Sequence, residues 1–212
     1  MPIQFITPSI ISSVANTQVT GTIIASQIAT VNANTITSGS IPLAQIPQLT
    51  GVKLPTGTVL QVVSNTKTDT FTTSSTTPVA ITGLFATITP TSASSKILVL
   101  VNVGSSGTTI DDYTVYLSLY RSASVITGAI GNAAGNRTVC SSAQRTGASY
   151  RYGSMSIMHQ DSPASTSSLT YACYAAMESG GGTACINRSA DDSDIASRPR
   201  TISSITVMEI AG

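Results

Sequence analysis

Tyr113-Thr114-Val115-Tyr116-Leu117-Ser118-Leu119-Tyr120 alternates its side chains for eight residues. A period of two belongs to an extended strand, whose successive side chains point to opposite faces. Val115, Leu117 and Leu119 fall on one face, and Tyr116, Ser118 and Tyr120 on the other. The aliphatic face is predicted to fill a core. The aromatic face, with Tyr116 and Tyr120, is predicted to pack against another subunit, because tyrosine offers a large apolar area with a polar tip. Upstream, Lys96–Val103 contains Ile97-Leu98-Val99-Leu100-Val101, apolar on both faces. Such a run predicts a strand covered from both sides.

Outward from these two segments the same pattern recurs. Further strands are predicted at Thr58–Val63, Val79–Ile81, Thr87–Thr89, Gly153–His159, Leu169–Ala176, Thr183–Asn187 and Ile202–Ile210. Breaks rich in turn residues separate them at Ser92–Ser95, Gly104–Gly107, Gly131–Gly135, Ser162–Ser168, Gly180–Gly182 and Ser189–Ser197. Gly180-Gly181-Gly182 reads as the tip of a hairpin. No segment keeps a helical period. Short strands at this spacing predict an all-β sandwich or jelly roll and exclude alternating βαβ units.

Only 9% of the 212 residues are charged, against roughly 25% in an ordinary globular protein. Serine and threonine, 32 of each, make up the difference. The net charge of +1 supplies no basic field for nucleic acid or an anionic membrane. With 41% hydrophobic residues and a mean hydropathy of +0.25, the chain has enough apolar surface to fold. It has few charges to keep a lone copy soluble, which points to an assembly. Residues 1–14 lack both the basic start and the unbroken apolar run of a secretory signal, so a non-secreted route is expected. No stretch reaches the ~18 apolar residues of a membrane span, so no membrane insertion is expected.

Residues 1–52 contain no Asp, Glu, Lys or Arg. The first charge is Lys53, beside the Pro/Gly-rich boundary Pro47–Gly57. Inside this uncharged part Ala15–Ile28 repeats as Ala33–Ile46, with seven of 14 positions identical. β-Branched residues, Gly, Asn and Pro dominate it and disfavour helix. Some 40 residues without charge rarely build a core of their own. The expected solution is intermolecular: an extended, intertwined trimeric β shaft over residues 15–52, with an anchor at 1–14 and a globular knob at 53–212.

Residues able to do chemistry are sparse. His159 and Asp161 stand together in Met158-His159-Gln160-Asp161, which reads as a strand end. Only two glutamates exist, Glu178 and Glu209, so paired carboxylates for glycoside cleavage are hard to assemble and no enzyme is expected. Asp191, Asp192 and Asp194 form the nearest approach to a metal site, since Ca²⁺ takes carboxylate oxygens on flexible loops. Their spacing is not that of an EF-hand, and a solvated loop without metal or cofactor is expected. Cys173 and Cys185 flank the turn Glu178–Thr183, which would set them near one another on paired strands; buried reduced thiols are expected. Arg145, Tyr150, Arg151 and Tyr152 lie in the Gly/Ser/Ala-rich stretch Gly131–Gly153, read as a long loop. Tyr and Arg dominate binding hot spots, so these four are candidate receptor contacts.

Several of these segments resemble a known group. Leu54-Pro55-Thr56-Gly57-Thr58-Val59-Leu60-Gln61-Val62-Val63 is similar to the lead-in of jelly-roll knobs in fibre proteins of tailed bacteriophages. Ile88–Val99, Val115–Arg121 and Ile202–Ile210 resemble the trimeric jelly roll shared by the tumour necrosis factor and complement globular-head superfamily. Ile36–Ile46 looks like the short repeats of phage fibre shafts. The resemblance implies a virion protein assembled in the host cytoplasm, a homotrimeric tail fibre whose knob contacts a host-surface glycan or protein. Ile3, Phe5, Ile6, Ile10 and Ile11 would then anchor it to another virion protein. Ile23, Ile28, Ile36, Ile41 and Ile46 would line the threefold axis. The rival assignments are a capsid head fibre or decoration protein and, in another class, a polysaccharide-cleaving tailspike.

Overall fold

A computed structural model of the chain describes residues 54–148 and 151–212. The repeat segment, the five anchor residues, the five axial isoleucines and Tyr150 lie outside the described residues.

The described part is all β. Its strands are β1 (Val59–Lys67), β2 (Phe71–Thr73), β3 (Val79–Ile88), β4 (Lys96–Thr108), β5 (Tyr113–Arg121), β6 (Ser124–Val125), β7 (Ser142–Thr146), β8 (Gly153–Asp161), β9 (Leu169–Met177), β10 (Ala184–Ile186) and β11 (Ser203–Ile210). One sheet runs β1-β11-β4-β10-β2, with β8 on the other edge of β4. The second runs β3-β9-β5-β6, with β7 also on β5. All pairings are antiparallel.

The alternation read from the sequence sets which face is buried. Val115, Leu117 and Leu119 of β5 are fully buried and meet Ile97, Val99, Val101 and Val103 of β4 in one core with Tyr171, Met177, Ile205 and Val207. Leu98 and Leu100 depart from the expectation of cover on both faces. They point outward and stay partly exposed, because no second layer among the described residues lies over them.

Side-chain amides close the seam between the sheets. Gln61 Nε2 donates to the Thr89 carbonyl at 2.7 Å. Asn65 Nδ2 donates to the carbonyls of Gly83 and Phe85 at 3.1 and 3.0 Å. These bonds take the place of a backbone ladder between β1 and β3. The predicted strands Val79–Ile81 and Thr87–Thr89 are therefore one strand, bulged between Ala80 and Phe85 where Gly83 adopts φ +81°.

Three strands were not expected. β7 runs through the predicted Gly131–Gly153 loop, because Ser142–Thr146 pairs with Tyr113–Leu117 despite its polar sequence. β2 and β6 are short additions at sheet edges. The Gly180–Gly182 turn is not a hairpin tip, for it carries the chain from β9 in one sheet to β10 in the other. Cys173 and Cys185 accordingly sit in different sheets, both free and buried, and not on paired strands.

Gly104 lies where β4 breaks register with β8 and donates its N–H to the Ile202 carbonyl at 3.0 Å. A Cβ there would stand 2.2 Å from that carbonyl oxygen. Gly104→Ala is expected to cost about 3 kcal/mol and lower the melting temperature by roughly 10 °C. Thermal unfolding followed by circular dichroism checks this; an unchanged melt would show that β4 and the 201–202 segment separate freely.

Candidate binding surfaces

The strand directions give the sandwich two unlike ends. Residues 54–58 join β1 at the end where β11 finishes: Gly57 N–H donates to the Ala211 carbonyl and Ala211 N–H to the Thr58 carbonyl, both at 2.8 Å. The connections β4–β5, β7–β8, β9–β10 and β10–β11 all lie at the opposite end. Most of the charges gather there.

Arg145 is the hub of one charged group. It stands on β7, not in a loop, and its Nε and Nη1 reach Asp112 at 2.8 Å and Glu178 at 3.0 Å. The Arg145 guanidinium holds the Asp112 carboxyl below its usual range. Glu178 is held low first by Thr114, whose N–H it accepts at 3.0 Å, and also by Arg145. Arg151 and Tyr152 follow in the β7–β8 connection, both exposed, Tyr152 by 40%. The structure thus brings Arg145, Arg151 and Tyr152 to one end of the sandwich. It commits Arg145 to an ion-pair cluster.

The aspartates singled out for a metal are engaged otherwise. Asp191 accepts two bonds from Arg198, at 2.9 and 2.8 Å, and one from Ser193. Asp192 pairs with Arg188 at 2.9 Å and with Arg200. Ser193 and Arg198 lower the Asp191 carboxyl, as Arg200 chiefly does for Asp192. Asp194 is exposed beside them. Arginines occupy the oxygens a cation would need. Among the described residues no three His, Cys, Asp or Glu side chains gather as a metal centre requires.

His159 and Asp161 both lie on β8 but face different partners. Asp161 Oδ2 accepts from Arg121 at 2.6 Å and from the Tyr171 hydroxyl at 2.7 Å, while Gly128 lies close to the His159 ring. Burial pushes the Cys173 thiol up to about 12, which leaves it an inert core residue.

Two broad faces remain. The outward face of the first sheet carries Val62, Met208, Leu98, Leu100 and Met158 across β1, β11, β4 and β8, in the pairings Val62↔Met208↔Leu98 and Leu100↔Met158. Met158 is 75% and Val62 54% exposed, and serines and threonines surround them. The outward face of the second sheet carries Tyr116, Tyr120, Tyr174 and Phe85. Tyr120 stacks on Tyr174 with ring centroids 3.8 Å apart, so part of its surface is already covered within the chain. Sequence reading found Tyr116 and Tyr120 by alternation but missed Phe85 and Tyr174, because strand neighbours distant in sequence, paired as Phe85↔Ala172 and Tyr120↔Ala172, create this patch.

Compared with known protein families and with curated proteins, the chain matches no family and no individual protein.

Proposed function

We propose that this chain is a structural protein of a bacteriophage particle, a homotrimeric tail fibre whose C-terminal knob meets the host surface. The observation that carries the reading is the two-ended sandwich. Residues 54–58, where the described chain begins, lie at one end, and the charged loops with Arg145, Arg151 and Tyr152 cluster at the other. A knob mounted on a stalk would present that far end outward. The strand orders β1-β11-β4-β8 and β3-β9-β5-β7, with connections crossing between sheets, support the finer reading as a jelly roll.

Three copies would meet through the outward face of the first sheet. It is nearly uncharged, with an aliphatic centre and a Ser/Thr rim, the composition of a subunit contact. Leu98 and Leu100 would then gain the second cover that the sequence calls for. Tyr116 and Tyr120, expected from the sequence at the subunit contact, would in this arrangement lie on the outer flank of the knob, with Tyr120 stacked on Tyr174. Host contact in this reading is binding without catalysis, strengthened by three sites held together.

Light scattering on the full-length chain is expected to give three times the 21.7 kDa chain mass. Met158→Lys, at a side chain open to solvent in one copy, is expected to shift the mass toward monomer with strand content unchanged. A monomeric wild type would overturn the proposal. Labelled protein seen on capsid lattice points by electron microscopy would move the assignment to a head fibre.

A further inference from the structure

A groove of about 470 Å³ opens on the outward face of the second sheet. Ala172 of β9 forms its floor, between Thr170 and Tyr174. Thr82 and Phe85 of β3 stand on one side and Ala123 of the β5–β6 turn on the other. Each wall departs from regular strand. On the β3 side, four residues bulge opposite the single residue Cys173, Gly83 takes φ +81°, and Asn65 holds the carbonyls on either side of Leu84. On the other side, Ser122 and Ala123 both lie in the left-handed region, at φ +46° and +66°, where glycine or asparagine is usual. Ser122 N–H is tied to the Thr170 carbonyl at 2.8 Å. The Tyr174 ring is fixed in place by its stack on Tyr120, while Phe85 is 46% exposed. Unusual backbone held by the surrounding structure tends to collect where a protein shapes a site.

We infer that this groove binds a neutral carbohydrate ring. Nine residues line it, whereas a standard protein interface uses roughly 20–30 on each side. Its volume lies within the roughly 300–1,000 Å³ of small-ligand sites. None of the nine is charged, so a carboxylate or phosphate would lose its hydration with nothing in return. Yet the lining is not purely aliphatic. Thr82, Thr170 and Tyr174 add hydroxyls to a lining otherwise of alkyl and aromatic carbon, and Thr170 Oγ1 already shares a 2.9 Å bond with Thr87 Oγ1. A ligand with a flat C–H face and a hydroxyl rim matches both features, since polarised C–H bonds settle on the negative face of an aromatic ring. The inference rests on the fibre reading for its biological sense: three grooves on one knob would engage a glycan coat together.

Saturation-transfer NMR on the full-length protein tests it, with maltotriose, mannotriose, chitotriose and lactose as neutral probes and trigalacturonic acid as the charged one. Transfer is expected to at least one neutral sugar and not to the acid. Phe85→Ala, and Ala172→Leu, which fills the floor, are each expected to weaken binding about tenfold with the melting temperature unchanged. Silence from all four neutral sugars, or transfer that survives both substitutions, would overturn the inference. So would a dimer that Ala172→Leu dissociates, because the groove would then belong to a second copy. Light scattering on the same samples separates the two readings. A monomer that still binds sugar removes the fibre alone, and a trimer that binds none removes the groove alone.

Discussion

Glu209→Ala is expected to lower the unfolding free energy by about 4 kcal/mol, as one buried and three part-buried hydrogen bonds to its carboxylate are lost at once. The Glu209 carboxylate is fully buried in β11. It accepts from Gln61 Nε2 at 2.6 Å and from Thr91 N–H, Thr91 Oγ1 and Ser95 Oγ, each at 2.7 Å. Through it the turn between β3 and β4 is pinned to the last strand. Burial pushes this carboxyl upward, but the bonds from Ser95, Gln61 and Thr91 outweigh burial and hold it below its ordinary value. A carboxyl lower in the folded than the unfolded state adds stability above the unfolded value, about 4.5, and loses it as pH falls through the folded one. Urea unfolding of wild type and Glu209→Ala between pH 7 and pH 3 measures this. The gap between them is expected to be widest near neutrality and to narrow in acid. The exposed pairs of Asp69, Asp112, Glu178, Asp191 and Asp192 also weaken in acid, yet they are common to both proteins and cancel in the difference. A gap independent of pH would show that the four donors, and not the charge, hold the turn.

Asp161→Ala is expected to cost about 3 kcal/mol by leaving buried polar groups without a partner. Asp161 of β8, in the first sheet, holds Arg121 of β5 and Tyr171 of β9, both in the second. Its other oxygen accepts from Ser162 N–H at 2.9 Å. The Arg121 side chain is 34% exposed and can recover hydration, so its share of the loss is small. Tyr171 is fully buried and cannot, and burial followed by the Asp161 bond already holds its hydroxyl well above the usual tyrosine range. Tyr171→Phe, which removes the hydroxyl along with its need for a partner, is expected to cost only about 1 kcal/mol. The double variant Asp161→Ala/Tyr171→Phe is expected to be less damaging than the sum of its parts by at least about 1 kcal/mol. Chemical denaturation of all four proteins closes the cycle. Strict additivity would mean that the two side chains do not share a bond that matters to folding.

The alternation in Tyr113–Tyr120 and the apolar run in Lys96–Val103 were sufficient to read strands. Only the alternation said which side chains meet the core, for the run predicted cover on both faces of β4 and Leu98 and Leu100 stay partly exposed. Extended covalent geometry sends neighbours to opposite faces whatever the partner strand turns out to be. The same reading cut β3 in two at Gly83, where a bulge supported by Asn65 continues the strand. It also took Ser142–Thr146 for loop, because a polar segment becomes a strand only through the neighbour it is given.

What the order of residues determined alone is the all-β class, the inward face of β5, the absence of charged side chains before Lys53, and the shortage of catalytic groups. All of these are properties of local spacing or of composition. Only the tertiary structure decided that Arg145 would be held by Asp112 and Glu178, that arginines would take the oxygens of Asp191 and Asp192, and that Phe85, Ala172 and Tyr174 would border one groove. Glu209 and Gln61 touch across 148 positions of chain. Such meetings depend on which strands become neighbours, a choice made by the packing of the whole sandwich that no local window of sequence contains.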